Sequence, residues 1–402
     1  MQNVVIMISG RSPLEEIGGG HCSYVRAHAY AAVAAGYEVH VFCVSDYFSG
    51  VHDTPYGRVH HASAMKTPPR QRYIKKLAGP ISENILENKD LVDRAVVVHS
   101  FGVWAYAGKI VCDRLAQQGQ HLPHVMSMYT AYREEALAQL KAVTEFNLFL
   151  VVKQFCEWIS IRFSASACEK QAYHSCDAVV VNYESVKKLL HKIHGYHPNL
   201  RILPYGPETA FHPNAPAHDI TPATGVPVVM TITLQRPKKG VVTLLDAFAR
   251  LKKEKVLFRG RVVGGGTLKT KHEQYSNALG LTDCVEFTGF VDAVDPWLKT
   301  SSIYVQPSIR EESGALALLE AMRIRLPVIC SAVDGMAEDI RNEIDGLTVP
   351  PGDAIALASA IKRLINDEVA RTKFARAARQ RFDERHAPEI FSPALKDLYE
   401  HL

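Results

Sequence analysis

The chain has 402 residues, of which 47% are hydrophobic and 22% are charged. This length exceeds what one hydrophobic core usually serves, so we expect two domains, and the composition excludes disordered, collagen-like and fibrous chains. The formal net charge of +4 is too small to indicate nucleic-acid binding. Residues 1–205 contain 21 Lys and Arg against 17 Asp and Glu, so the positive excess lies in the N-terminal half.

No stretch reaches the roughly 18 uninterrupted apolar residues that span a bilayer, and the N-terminus resembles a strand entering a turn more than a secretion signal. The eight cysteines are scattered without a Cys-x-x-Cys pair, and most lie in apolar runs. We therefore expect reduced core cysteines and a cytoplasmic protein.

Short apolar runs alternate with helical patterns, which predicts α/β units around parallel sheets. Residues 4–8 form the first predicted strand, followed by a Gly-rich turn and an Ala-rich helix over residues 21–35. Further strands are predicted over residues 38–44, 95–99, 124–129, 178–182 and 201–204. Residues 141–176 have a helical composition and predict two packed helices.

Six prolines fall between Pro204 and Pro227, which indicates a linker. After this linker, apolar runs again alternate with helical patterns. Strands are predicted over residues 228–233, 258–263, 285–288, 303–306 and 327–331. Apolar residues at helical spacing predict amphipathic helices from Leu244 to Leu251 and from Phe391 to Leu402. The pattern predicts two Rossmann-like domains facing a cleft.

Two Gly-rich segments follow predicted strands, where α/β proteins place their ligands. Gly18-Gly19-Gly20 opens the first helix, and Gly264-Gly265-Gly266 follows the strand over 258–263. Glycines let a backbone approach an anionic group or a sugar closely, and a helix start offers unpaired N–H groups. Neither segment has the G-x-G-x-x-G spacing, so each is equally compatible with a flexible turn.

The segment 312–320 opens a helix after the strand over 303–306 and carries Glu312 and Glu320, with seven residues between them. Carboxylates accept from sugar and ribose hydroxyls, whereas the backbone N–H groups of a helix start suit a pyrophosphate. Four residues supply these predicted N–H groups: Ser313, Gly314, Ala315 and Leu316. The alternative is a solvated helix face, but Glu320 lies in an apolar setting.

A basic loop, Arg236-Pro237-Lys238-Lys239-Gly240, follows the strand over 228–233. Cations at a strand's carboxyl end can neutralise a diphosphate leaving group. A basic solvated loop remains the alternative.

In order along the chain, these motifs resemble the GT-B-fold retaining glycosyltransferases of family four. The resemblance rests on Lys239-Gly240, Gly264-Gly265-Gly266, the Glu312…Glu320 pair, Gly335-Met336-Ala337-Glu338 and Pro350-Pro351-Gly352-Asp353. It implies an N-terminal acceptor-binding domain over residues 1–205 and a nucleotide-sugar-binding domain over 206–382. A C-terminal helix over 383–402 is expected to return to the first domain.

The resemblance also implies roles for single residues. Glu312 would bind donor-sugar hydroxyls, Glu320 would accept from the ribose, and Lys239 would contact the diphosphate. Three further groups complete the predicted site: Arg236 and His99 as catalytic residues, Gly19 and Gly20 from the opposite domain, and Gly264 and Gly265 beside the donor. The implied reaction needs no metal and no cofactor, proceeds on the front face of the sugar with retention, and takes a UDP- or GDP-sugar as donor.

Two departures from the family pattern keep other functions open. Leu234 stands where the family has an arginine, with Arg236 two residues further on, and Phe101 replaces the second histidine of a His-x-His pair. A non-catalytic glycosyltransferase-like subunit is therefore one alternative. A sugar-nucleotide epimerase or hydrolase of the same fold is the other.

The acceptor is expected to be a saccharide or a lipid-linked sugar of a polysaccharide pathway. The basic segment over 66–76 contains Lys66, Arg70, Arg72, Lys75 and Lys76, and could bind an anionic acceptor or touch the inner face of the membrane. A mobile solvated loop is the alternative.

Overall fold

The protein divides into two compact units, Met1–Phe211 with Pro388–Leu402, and His212–Ala387. The structure is a computed structural model that describes residues 2–15, 19–45, 47–64, 74–131, 134, 164–211, 225–311 and 313–402. The predicted helix pair over 141–176 lies largely outside these residues, as does most of the basic segment over 66–76.

An eight-stranded sheet forms the centre of the first unit. Its strands are β1 (Val4–Ile8), β2 (Glu38–Ser45), β3 (Gly50–Thr54), β4 (Gly57–Ala64), β5 (Ala95–Phe101), β6 (His124–Ser127), β7 (Ala178–Val181) and β8 (Leu200–Ile202). They lie in the order β3-β4-β2-β1-β5-β6-β7-β8. Neighbours pair parallel, except in the antiparallel β3–β4 hairpin.

The β3–β4 hairpin was not predicted from the sequence. Its turn at Thr54–Gly57 places Gly57 at a φ of +117°, and the Thr54 hydroxyl donates to the Gly57 carbonyl over 2.6 Å. A β-carbon on Gly57 would lie 2.3 Å from the Val39 carbonyl oxygen of the neighbouring strand β2. The glycine therefore allows the hairpin to pack against the sheet.

Helices that connect these strands surround the first sheet. They are α1 (Gly19–Ala34), α2 (Ile74–Glu87), α3 (Lys89–Arg94), α4 (Ala105–Gln117), α5 (Ser166–Ser175) and α6 (Glu184–His194).

The second unit contains a six-stranded, fully parallel sheet. Its strands are β9 (Val228–Ile232), β10 (Arg259–Val263), β11 (Val285–Gly289), β12 (Ile303–Gln306), β13 (Val328–Ser331) and β14 (Leu347–Val349), in the order β11-β10-β9-β12-β13-β14. The helices are α7 (Val241–Lys253), α8 (Lys269–Ala278), α9 (Asp295–Lys299), α10 (Leu316–Arg323), α11 (Met336–Asp339), α12 (Ala354–Asn366) and α13 (Glu368–Arg385).

One central strand of each sheet is buried along its whole length. Every residue of β1 and of β12 lies away from solvent. A parallel strand covered by helices on both faces carries a continuous apolar run, and for this reason the sequence predicted both strands with the observed bounds. Helix α7 buries Leu244, Leu245 and Phe248 on one face, as its apolar spacing predicted. The predicted α/β class with two parallel-sheet domains is thus confirmed.

The C-terminal helix α14 (Pro388–Glu400) belongs to the first unit. It buries Phe391, Leu395 and Leu398, and the Phe391 ring packs edge-on against His28 of α1. Helix α13 continues through Arg385, and the buried His386 lies 2.9 Å from Asp339 of the second unit. The segment 383–387 therefore packs with the second unit, although the sequence grouped it with the C-terminal helix.

The first unit ends at Phe211, six residues beyond the predicted end at 205. A short 3-10 helix, Glu208–Phe211, closes it. The Arg26 guanidinium of α1 donates to Glu208 over 2.8 Å, and the Phe211 ring stacks on Tyr30 of the same helix at 6.0 Å. These contacts attach the end of the unit to α1.

Seven cysteines are free in the described part of the chain, and five of them are buried. Cys156 lies outside that part. No helix among the described residues has the length and apolar character that crossing a bilayer requires.

Candidate functional site

The second sheet reverses its strand order where β9 lies beside β12, so the loops that follow these two strands are neighbours at one edge. Open α/β sheets bind ligands at such a reversal. The loop after β9 carries Lys239 and Gly240, and the loop after β12 carries Glu311. The backbone N–H of Ile309 donates to the carbonyl of Lys238 over 2.8 Å and joins the two loops.

Gly240 brings these loops into contact. It precedes helix α7 with a φ of +68°, a conformation that favours glycine. A β-carbon there would lie 1.9 Å from the carbonyl oxygen of Pro307. Position 240 must therefore be a glycine, because the backbone of the first loop approaches the Pro307 carbonyl so closely. This close approach places Lys239 at the point where the strand order reverses.

Lys239 forms an ion pair with Glu311, which the sequence analysis did not single out. The ammonium donates to Oε1 of Glu311, and the two side chains are 17% and 6% exposed. The backbone N–H of Glu311 donates to Oδ2 of Asp334 over 2.9 Å, while Oε2 of Glu311 is buried without a hydrogen-bond partner. Lys239 therefore lies where it was predicted, with an unpredicted carboxylate beside it.

The loop Gly264-Gly265-Gly266 packs around Gln235. The Gln235 amide donates to the Gly264 carbonyl over 2.7 Å, and its Oε1 lies 2.9 Å from Nδ1 of His272. β-Carbons on Gly264 and Gly266 would lie 2.2 Å and 2.6 Å from the backbone oxygens of Thr233 and Gln235. These glycines are explained by internal packing as well as by ligand approach.

Phe290 adds an exposed aromatic ring to the same edge. It follows strand β11 and is 66% exposed. Its ring leaves room for no residue other than glycine at position 265, because a β-carbon there would lie 2.4 Å from the ring. An exposed ring face offers a stacking surface.

Helix α10 starts at this edge, after β12. No side chain caps its N-terminus, and Gly314 has a φ of +82° before the extended Ala315. The buried Ala315 and the half-buried Ser313, Gly314 and Leu316 therefore surround the helix start. The Ser313 N–H donates to the Glu311 carbonyl over 2.6 Å, whereas the other N–H groups and the positive dipole end of the helix start favour anions.

Glu320 lies in the second turn of α10 and is half-buried. Burial first, and the Glu320 charge second, raise the pKa of Tyr304 on β12 well above its usual value. The Glu320 carboxylate therefore lies within electrostatic range of the Tyr304 hydroxyl. Glu312 lies outside the described residues.

Arg236 is exposed and extended, and its backbone N–H donates to the Leu234 carbonyl over 2.8 Å. Leu234 itself is half-buried. The arginine thus stands at the solvent side of the loop that carries Lys239, where it can reach an arriving anion.

The first sheet reverses its order between β1 and β5. Gly19 and Gly20 begin helix α1 after β1, and a β-carbon on Gly20 would meet no atom within 4 Å. The next residue, His21, is held between the Tyr129 hydroxyl at 3.0 Å and the Ser9 hydroxyl at 3.2 Å. Burial, with a smaller contribution from Arg11, lowers the pKa of His21 to about 4, so the ring is neutral near pH 7.

His99 does not lie at a surface. Its side chain is fully buried in the first unit, with Nδ1 2.5 Å from the Tyr399 hydroxyl and Nε2 2.6 Å from the Ser127 hydroxyl. Burial, together with the nearby His28 and His124, lowers its pKa well below the usual value. The contacts give His99 a structural role, and a catalytic one remains a prediction.

Histidines also cluster around β2 and β4, where Nδ1 of His40 lies 2.8 Å from Nε2 of His60 and Nε2 of His40 lies 2.9 Å from Glu38. No group of three His, Cys, Asp or Glu side chains within the described ranges could hold a metal ion.

Glu311, Gln235, His21 and Tyr129 were not predicted from the sequence as site residues. Three of them adjoin residues that were predicted: Glu311 precedes Glu312, Gln235 precedes Arg236, and His21 follows Gly20. Their position beside a motif was a usable signal. Tyr129 had none, since only the sheet order brings its strand end to α1.

Two family models match the chain. The model described as "Glycosyl transferases group 1" matches residues 219–381, and the model described as "Glycosyltransferase Family 4" matches residues 18–211. Together they span most of both units.

Curated relatives match parts of the chain. An exopolysaccharide phosphotransferase of Streptomyces coelicolor is 31% identical over 228 residues, 56% of this chain and 23% of that protein. The amylovoran biosynthesis glycosyltransferase AmsK of Erwinia amylovora is 28% identical over 43% of this chain and 44% of its own. The phosphatidyl-myo-inositol mannosyltransferase of Mycobacterium leprae is 30% identical over 39% and 41%. The chain spans less than half the length of each.

Solved structures match over nearly the full length. Sucrose-phosphate synthase from Thermosynechococcus elongatus superposes with a TM-score of 0.77 at 22% identity, covering 99% of this chain and 98% of that chain. Anabaena HepE, solved with UDP-glucose, superposes with a TM-score of 0.70 at 15% identity, covering 99% and 100%. At these identities the likeness establishes the fold.

Proposed function

We propose that the chain, which belongs to the GT-B glycosyltransferases of group 1, transfers a sugar from a nucleoside diphosphate sugar to a saccharide acceptor. The observation that carries this proposal is the sheet reversal of the second unit. There Lys239 follows β9, and helix α10, which carries Glu320 in its second turn, follows β12. A cation and free N–H groups suit a diphosphate, and a carboxylate suits ribose hydroxyls.

The donor is a UDP- or GDP-sugar in this proposal. The relatives support this choice, since HepE was solved with UDP-glucose and another relative is named a mannosyltransferase. In the second unit, Glu312 would bind sugar hydroxyls and Glu320 the ribose, with Gly264 and Gly265 beside the donor. No cofactor takes part in the proposed reaction.

The proposed chemistry retains the anomeric configuration and needs no metal. The bond between the sugar's anomeric carbon and the diphosphate oxygen breaks, and the acceptor oxygen attacks from the same face. The departing diphosphate oxygen takes the acceptor's proton. Lys239, Arg236 and the N–H groups at the start of α10 stabilise the charge that develops on the diphosphate.

The acceptor is a saccharide or a lipid-linked sugar, bound by the first unit. Arg11, His21, Tyr129 and Gly20 lie at the carboxyl edge of its sheet and offer a cation, polar rings and an open helix start. The relatives in exopolysaccharide and amylovoran synthesis support a polysaccharide pathway. The basic segment over 66–76 would touch the inner face of the cytoplasmic membrane.

A thermal-shift screen of UDP-, GDP-, ADP- and TDP-sugars tests donor binding. We expect at least one donor to raise the melting temperature of the wild-type protein, and Glu320→Ala to lose most of that shift. Glu254→Ala is the matched control, because Glu254 pairs with Lys362 on an exposed surface at the end of α7. An undiminished donor shift in Glu320→Ala contradicts the assigned site.

Product analysis then distinguishes the proposed reaction from its alternatives. Sugar transfer requires that donor consumption depend on an added saccharide acceptor. Consumption at the same rate without acceptor indicates a hydrolase or an epimerase instead. Donor binding without turnover across many acceptors indicates a non-catalytic subunit.

A further inference from the structure

The pair between Lys239 and Glu311 occupies the position where the proposed function puts the donor's diphosphate. Glu311 is 6% exposed, and within the described part of the chain only one of its two carboxylate oxygens has a hydrogen-bond partner. A buried carboxylate with one unsatisfied oxygen is costly, because desolvation is repaid only when its hydrogen bonds are complete. The pair therefore contributes little to the stability of the fold, and its presence at this position needs another explanation.

The surrounding backbone holds Glu311 in place without help from Lys239. Its N–H is bound by Asp334, and the neighbouring N–H groups of Ile309 and Arg310 donate to the Lys238 carbonyl over 2.8 Å and 3.3 Å. Lys239 ends the 3-10 turn before Gly240 and reaches Glu311 with a flexible side chain. The ammonium can thus change partner without a change in the backbone that carries Glu311.

We propose that Glu311 is the internal counter-ion of Lys239, and that the diphosphate of the donor displaces it when the donor binds. This inference rests on the proposed function. A diphosphate carries more negative charge and more acceptor oxygens than a carboxylate, so the Lys239 ammonium binds the diphosphate in preference to Glu311. Glu311 keeps Lys239 at the sheet reversal in the empty protein, and it lowers the affinity for every anion that binds there.

If Glu311 competes with the diphosphate for Lys239, a substitution that removes the Glu311 charge should strengthen nucleotide binding, whereas most substitutions beside a binding site weaken it. Glu311→Gln removes the competing charge but keeps the size of the side chain. We expect it to tighten the binding of UDP or GDP by about tenfold and to leave the binding of uridine or guanosine unchanged. Glu254→Gln, with the same change in charge at an exposed pair, should alter neither.

Isothermal titration calorimetry with the two nucleoside diphosphates and the two nucleosides measures these affinities. A second measurement needs no nucleotide: acetylation of Lys239 by an amine-reactive ester, followed by mass spectrometry. We expect Lys239 to react several-fold faster in Glu311→Gln than in the wild-type protein, because the ammonium has lost its partner. Added diphosphate should then protect it.

The outcomes separate the two proposals. If the wild type binds a nucleoside diphosphate but Glu311→Gln binds it equally or more weakly, Glu311 merely orients Lys239 and the counter-ion inference is wrong while the proposed function stands. Unchanged Lys239 reactivity in Glu311→Gln contradicts the pair itself. If the wild type binds neither diphosphate, both proposals fail.

Discussion

Nδ1 of His99 lies 2.5 Å from the hydroxyl of Tyr399, although 300 residues separate them in the sequence. Tyr399 is in the C-terminal helix α14, and His99 is in the central strand β5 of the first unit. Both side chains are buried, and Nε2 of His99 is bound to Ser127 in the next strand. One imidazole therefore connects the last helix of the chain to the centre of the first sheet.

Tyr399→Phe removes the hydroxyl from this connection and leaves a ring nitrogen of His99 buried and unpaired. We expect the first unit to lose about 1–3 kcal/mol of its free energy of unfolding. Urea denaturation followed by circular dichroism measures this loss. Tyr196→Phe is the control, because Tyr196 is 74% exposed, and it should change the free energy of unfolding by less than about 0.5 kcal/mol. Equal effects of the two substitutions would contradict the structural role of the pair.

His28 makes the first unit sensitive to acid. Its ring lies inside the protein against Phe391 and Tyr205, and burial lowers its pKa to about 3. The folded protein accommodates only the neutral form of this ring. Its contribution to the stability of the fold is therefore complete above the unfolded pKa of about 6.5, and it is lost as the pH falls towards the folded pKa. Between pH 6.5 and 4.5 this histidine alone should remove about 2 kcal/mol of stability.

His28→Phe tests this pH dependence. Among the described residues Nε2 of His28 has no hydrogen-bond partner, and Nδ1 donates to the Tyr24 carbonyl over 3.0 Å, so the substitution removes one hydrogen bond and should change the free energy of unfolding at pH 7.5 by about 1 kcal/mol. At pH 4.5 the variant should be more stable than the wild type. Urea denaturation at both pH values measures the difference, with the exposed His121→Phe as control. A parallel loss of stability in His28→Phe and the wild type would show that other groups dominate the acid response.

Gly240→Ala should lower the stability of the second unit for two reasons, backbone strain and a steric clash. The substitution strains a φ of +68° and places a β-carbon 1.9 Å from the Pro307 carbonyl, which must move the loop that carries Lys239. We expect a loss of roughly 3 kcal/mol or more in stability and a loss of nucleotide binding.

Gly352→Ala is the matched control for this prediction. Gly352 has a φ of +78° in the same unit, but its β-carbon would meet no atom within 4 Å. It should cost only about 1 kcal/mol and leave nucleotide binding intact. Denaturation and calorimetry on both variants separate backbone strain from the steric clash, and similar losses in both would argue against the close approach at Pro307.

Arg26 and Glu208 form a partly buried pair, each 19% exposed, that attaches the end of the first unit to helix α1. Glu208→Gln should cost about 1.5–3 kcal/mol, because it weakens charged hydrogen bonds in a shielded place. Asp53→Asn breaks the exposed pair with Arg58 and should cost less than about 1 kcal/mol. Thermal unfolding of the two variants compares the pairs, and a smaller shift for Glu208→Gln than for Asp53→Asn is the contrary result.

Much of the fold could be predicted from local sequence patterns. Strands β1 and β12 were predicted with their observed bounds, because buried parallel strands are continuous apolar runs between turn residues. The β3–β4 hairpin was missed, since its first strand is mostly exposed and carries no such run. The three-residue β14 was also missed.

The site was predicted unevenly for a related reason. Lys239, Gly264 and Glu320 stand out because each belongs to a spaced motif after a strand. Gln235 and Glu311 belong to no motif, and their roles arise from neighbouring loops. The sequence placed His99 among the catalytic residues, whereas its contacts are those of a core side chain.

Local periodicity and strand ends were enough to predict the α/β class and the two sheets, and the resemblance of the motifs to a known family indicated the family to which the chain belongs. These features depend on residues close together in the chain. The partners of the functional groups depend on strand order and on returning segments, which act over tens to hundreds of residues. Only the tertiary structure could decide that Lys239 meets Glu311, that His21 meets Tyr129 and that His99 holds the last helix.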